Sequence, residues 1–193
     1  PPRGDVPVQP QLRALVPLPT ASAATTKPHQ WSLAAGPTLV AAAPASPALS
    51  LLLTLDWWAS QHPLGAEIGA RFPLVAARLS GEEGNADLRA TSLWIAAMAR
   101  LGPLGARWWG AAGLGVSLDV LSMVGFGAEG YLGRDMVAVG ASPLVDLQGT
   151  VRLTEQVSLR AVASSGCMRP ETTLQFAGRP LGSWGCPWAT LGT

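Results

Sequence analysis

Residues 107–120 read RWWGAAGLGVSLDV, and the rhythm of that stretch decides the fold. Its even positions carry Trp108, Ala112, Leu114, Val116, Leu118 and Val120; its odd positions carry Arg107, Gly113, Gly115, Ser117 and Asp119. Side chains along a strand alternate between faces, so one face here is apolar and the other small, polar and charged. The pattern returns in segments of about ten residues with turn signals between them, which is the signature of a transmembrane β-barrel, apolar toward lipid and polar within.

Composition points the same way. Of the 193 residues 48% are hydrophobic and only 13% charged, about half the usual globular share. Yet no block makes a clean membrane helix. Residues 108–127 carry Asp119 near their middle, a cost of about 2.5–3.5 kcal/mol at a helix centre, and are rich in glycine. Residues 38–55 are broken by Pro44 and Pro47. A net charge of +1 with no basic cluster argues against a nucleic-acid binder. The chain begins at Pro1 without a methionine, so a longer precursor is expected.

Along the chain, residues 1–30 are rich in Pro, Ala, Ser and Thr and read as a disordered linker; the barrel domain is placed at 31–193. Strands are expected near 31–41, 48–58, 65–78, 88–100, 107–120, 135–148 and 157–165, with an eighth starting near Trp188 and truncated at Thr193. Pro73 marks an irregularity in the third. In the fourth, Arg89 and Thr91 compete with Ser92 and Arg100 for the inner face. Residues 80–87, SGEEGNAD, and 121–134, including GFGAEGYLG, read as loops. The expected architecture is an all-β, up-and-down antiparallel barrel of about eight strands, with short turns at one end and longer loops at the other.

Several residues follow from this frame. Trp31, Trp57, Trp58, Trp108 and Trp109 fall on the short-turn side, where an aromatic girdle lies at a membrane interface. Glu67, Arg71, Asp119, Asp146 and Arg160 fall on the inner face and are expected to pair as a charge network in the lumen. Cys167 and Cys186 flank the last long loop and are expected to close it by a disulfide in an oxidising compartment; a pair of free thiols is the other reading. No metal-ligand spacing, phosphate-binding loop or nucleophile–base pair is present, so no cofactor and no catalysis are expected.

With ALSLLLTLDWW, RWWGAAGLGVSLDV and the ending PWATLGT, the chain resembles the small outer-membrane β-barrel domains of Gram-negative bacteria, of the outer membrane protein A/X-like, porin-like kind. The resemblance covers about residues 31–193. It implies a place in the bacterial outer membrane, contact with its lipid bilayer and its assembly machinery, and a periplasmic linker that joins the barrel to an upstream domain. Such barrels usually finish on an aromatic residue; this sequence ends on Thr193. The function expected is a membrane anchor, structural or narrow-channel protein. Two other readings stand beside it: a soluble lipocalin-like barrel for an apolar ligand, and a helical inner-membrane protein.

Overall fold

Alternation turns each of these segments into a stave with one wet and one greasy side, and the staves close on themselves. The structure, a computed structural model, describes residues 30–60, 62–82, 84–103, 106–129, 133–176 and 179–193. The linker expected over 1–30 therefore lies, except for Gln30, outside the described residues. Eleven strands are seen there: β1 (Gln30–Ala42), β2 (Ala48–Trp58), β3 (Leu64–Pro73), β4 (Ala77–Gly81), β5 (Gly84–Leu101), β6 (Trp108–Gly127), β7 (Asp135–Arg152), β8 (Ser158–Gly166), β9 (Thr172–Phe176), β10 (Arg179–Trp184) and β11 (Trp188–Gly192).

Eight of them form a ring. Pairing runs antiparallel through β1, β2, β3, β5, β6, β7, β8 and β11, and β11 returns to β1 with Trp188 opposite Ala42 and Gly192 opposite Thr38. The eighth strand is short and joins the ring over five residues, linking Val162–Gly166 of β8 to Thr38–Ala42 of β1. Every described element is a strand, turn or irregular segment, so the stretches offered as membrane helices are walls of this ring. The lipocalin-like alternative fails on parity. Leu33, Leu114, Val137 and Leu159 point outward at 59–79% exposure, while Asp56, Glu67, Asp119 and Asp146 are buried inside at 2% or less.

Three departures from the sequence expectations have local causes. The segment read as one strand over 65–78 breaks at Pro73, which cannot donate to a ladder. The amides of Leu74 and Val75 both turn back onto the Leu49 carbonyl before β4 begins. The polar stretch 80–87 is a tight hairpin rather than a loop, with Gly81 opposite Gly84 at its tip and Ala86 buried. Glycine suits that tip, where Gly84 has φ of 146°. The strand expected to end at Val120 runs on to Gly127, so half of the stretch read as a loop over 121–134 belongs to β6. Within the long loop after β8, β9 and β10 form a second hairpin.

The 20 residues of β6 and the 18 each of β5 and β7 exceed the roughly 9–11 that a tilted membrane strand needs. Strands of that length are longer than one bilayer crossing requires, and their outward faces change character toward the upper end. The outward face of β5 shows where. Leu93, Ile95, Ala97, Ala99 and Leu101 are apolar, but Asn85, Asp87, Arg89 and Thr91 are not. The upper edge of the apolar band thus lies near Thr91, which is paired with Val120.

Candidate functional site

Residues of the inner face meet in three layers. At the lower end, where β1 begins, Trp58 and Trp109 stand edge to face with ring centroids 5.3 Å apart. The Arg100 guanidinium lies over both rings, 4.7 Å from Trp58 and 4.4 Å from Trp109. A cation set on two aromatic faces is held electrostatically by their quadrupoles. This corrects the girdle expectation: Trp58 and Trp109 turn inward. In each Trp-Trp doublet only one ring can face out. Trp57 shares its parity with Leu49, Leu53 and Leu55, and Trp108 with Leu114 and Val116. Trp31 and Trp108 are exposed on the outer face, and Trp57 sits opposite Trp31 across β1 and β2.

Above the stack lies the ionic layer. Arg160 on β8 reaches across the lumen to pair with Asp56 on β2 and with Glu67 on β3, the latter at 3.4 Å, and donates to the Thr54 hydroxyl at 3.0 Å. Glu67 also accepts from the Trp94 indole N–H of β5 at 2.8 Å and from the Gln148 amide of β7. Asp56 further accepts from Ser32 at 2.8 Å, and Asp146 accepts from Ser164 at 2.8 Å. One step higher, Asp119 accepts from Ser117 at 2.9 Å and Ser142 at 2.5 Å, and the Trp188 indole donates to Ser142 at 3.2 Å. Arg71 donates to Ser92 at 2.6 Å and stacks on Trp188 at 4.8 Å.

Glu67 and Arg160 of the five expected lumen charges therefore meet directly. Asp146 stands beside them on Ser164, while Arg71 and Asp119 belong to the Ser92–Ser142–Trp188 level. Asp56, Trp94 and Gln148 are not among the expected site residues, and Arg100 is there only as one of the rivals for the inner face of its strand. Their strand parity carried the signal: Asp56 shares a face with Thr54, and Trp94 and Arg100 share one with Ser92. The even set of β5 is thus the inner one, which settles the ambiguity between Arg89 and Arg100.

The upper layer is apolar. Leu88, Leu121, Ala86, Leu79 and Val40 are buried, and the β9–β10 hairpin lowers Leu174 and Trp184 onto them. That hairpin is fixed at its base by the Cys167–Cys186 disulfide and by reciprocal backbone bonds between Arg169 and Ala141 of β7, at 2.8 and 2.9 Å. Met168, fully buried, packs under it. Trp184 and Trp188 consequently lie inside.

No protein-family model matches this chain, and no curated protein resembles it in sequence. Its backbone, however, is similar to the crystal structure of Neisserial surface protein A (NspA), with a TM-score of 0.57, 12% sequence identity, and 86% of this chain and 96% of that chain covered. A likeness at that identity is one of fold. NspA and this chain share a barrel wall, and the interior described above must be read from this chain's own residues. Among the described residues no three His, Cys, Asp or Glu side chains are grouped as metal ligands.

Proposed function

We propose that this chain is a bacterial outer-membrane barrel that anchors and displays, rather than conducts or catalyses. The single observation that carries the reading is Arg160, which ties β2, β3 and β8 together across the lumen, with β5 and β7 joined through Glu67. A small barrel whose opposite walls are bridged by buried ion pairs has its cross-section filled by its own side chains. The layers above and below, apolar under the hairpin and Trp-Arg-Trp at the lower end, leave bulk solute no straight path. Support for the membrane comes from the unbroken apolar outer band, and for the outer membrane from a fold shared with a protein named as a bacterial surface protein.

In this reading the lower end faces the periplasm, the Pro/Ala-rich residues 1–30 tether an upstream domain, and the outer-membrane assembly machinery inserts the barrel. The disulfide-braced hairpin and the long β5–β7 ends are what the cell presents outside. Planar-bilayer recording of the refolded chain tests it. The expected result is an unchanged baseline over the usual voltage range; reproducible unitary steps would establish the narrow-channel function instead.

A further inference from the structure

Asp146 is wholly buried on the inner face of β7, yet no cation lies within ion-pair distance of it among the described residues. The guanidinium groups of the interior are committed elsewhere. Arg160 pairs with Asp56 and Glu67, Arg71 donates to Ser92 and stacks on Trp188, and Arg100 lies between Trp58 and Trp109. Four carboxylates, those of Asp56, Glu67, Asp119 and Asp146, are buried against the two buried guanidinium groups of Arg71 and Arg160. Ser164 donates to one oxygen of Asp146 at 2.8 Å; the other, Oδ1, is buried without a partner. A carboxylate held in that state is costly unless something pairs with it.

The next inward residue down the strand carries an independent signal. Gln148 is 6% exposed, and its amide nitrogen donates to Glu67, which leaves its carbonyl oxygen on the opposite edge of the amide. That oxygen also is buried without a partner. Successive inward residues stand about 7 Å apart along a strand, close enough for an aspartate and a glutamine to converge on one point. The unpartnered Thr150 hydroxyl continues the row of acceptors toward the lower end. Water satisfies acceptors, but it is neutral and leaves the charge standing; a cation answers both. Oxygen ligands select a hard cation. A single carboxylate, with no third His, Cys, Asp or Glu grouped as a ligand set among the described residues, suits one positive charge rather than two. We propose that Asp146 Oδ1 and Gln148 Oε1 bind a monovalent alkali-metal ion inside the barrel. The site does not rest on the anchor reading, since an ion held against the wall neither requires conduction nor forbids it.

An ion bound by the folded wall and not by the unfolded chain shifts the folding equilibrium, so stability reports it. The test unfolds the refolded chain with urea from phosphatidylcholine vesicles, exchanging sodium chloride for N-methylglucamine chloride at constant ionic strength. The folding constant is expected to rise with sodium, its logarithm approaching a slope of about one against that of the sodium concentration, the value for one bound ion. Asp146→Asn, which keeps the shape and removes the charge, should abolish that slope. Gln148→Met, which keeps the carboxylate and loses the carbonyl, should raise the sodium concentration needed about tenfold. Asp119→Asn, one level higher, should keep the wild-type slope. If Asp146→Asn does not refold, Gln148→Met decides. A folding constant indifferent to sodium, an unaltered slope in Asp146→Asn or Gln148→Met, or a response to calcium chloride but not to sodium would overturn the proposal. So would stability that follows pH alone, because protons would then carry the missing charge.

Discussion

Arg160 and Asp56 stand 104 positions apart in the sequence and are ion-paired in the barrel interior, both almost wholly shielded from water. The pair spans strands that are not neighbours in the ring, so it can form only once the barrel has closed. Removing one member leaves a buried charge without its partner, which is the costly way to break such a contact. Arg160→Ala should therefore destabilise the barrel by about 3–5 kcal/mol in reversible urea unfolding from lipid vesicles. Adding Asp56→Asn and Glu67→Gln should recover much of that loss. A triple variant no more stable than the single one would show that Arg160 acts through packing alone.

The glycines that line the interior are not interchangeable. A Cβ at Gly69 would overlap the Trp94 ring, and that ring is held in place by its hydrogen bond to Glu67 at 2.8 Å. A Cβ at Gly113 would meet the thioether of Met98, the far end of a flexible side chain. Gly69→Ala is expected to cost about 1–3 kcal/mol, the range for overpacking, and Gly113→Ala clearly less. Unfolding midpoints measured side by side decide the order, and equal losses would mean that Trp94 moves as easily as Met98.

The disulfide should protect the hairpin more than the barrel. Cys167 and Cys186 are separated by 19 positions, and a loop of that size contributes about 3 kcal/mol in the chain-entropy account. The ring strands do not pass through the bond, whereas both ends of the β9–β10 hairpin do. Replacing both cysteines with serine is expected to leave the strand signal in circular dichroism unchanged. Proteinase K should then cut within residues 171–183, seen by mass spectrometry of the intact product. Cleavage at the same rate in both forms would show that Leu174 and Trp184, buried on the apolar layer, hold the hairpin unaided.

Most of the wall could be read from the sequence because period-two alternation is a local property, visible within ten residues. That is why β1, β2 and most of β6 and β7 fall where the pattern puts them. The misreadings come where the pattern loses contrast. Above the apolar band the outward face of β5 turns polar while the inward Ala86 and Leu88 are apolar, the reverse of the pattern below, so Asn85 and Asp87 made the start of β5 look like a loop. The glycines of GFG hid the end of β6 because glycine reads as a turn signal. The interior partners were a different problem. Parity places Asp56 and Arg160 inside, but which cation meets which acid depends on ring order and stagger, and these emerge only on closure. The doublets Trp57–Trp58 and Trp108–Trp109 show the opposite failure: parity was available and would have turned one ring of each inward.

The position of the bilayer can itself be tested on one strand. Leu114 and Val124 both point outward from β6, and hydropathy alone does not distinguish them. Their neighbours on β5 do: Leu114 is paired with Ala97 in the apolar band, Val124 with Asp87 above it. A charge on the lipid face costs about 2–4 kcal/mol near the bilayer midplane and about 0–1 near its edges. Leu114→Arg should therefore lower stability in vesicles by the larger amount, and Val124→Arg by little. Equal large losses would place the projecting end of β6 inside the membrane and move the upper boundary beyond Thr91. Near-zero loss at Leu114 would be more serious, because an arginine tolerated at the centre of the apolar belt means that lipid does not cover it, and the membrane reading would fall with it.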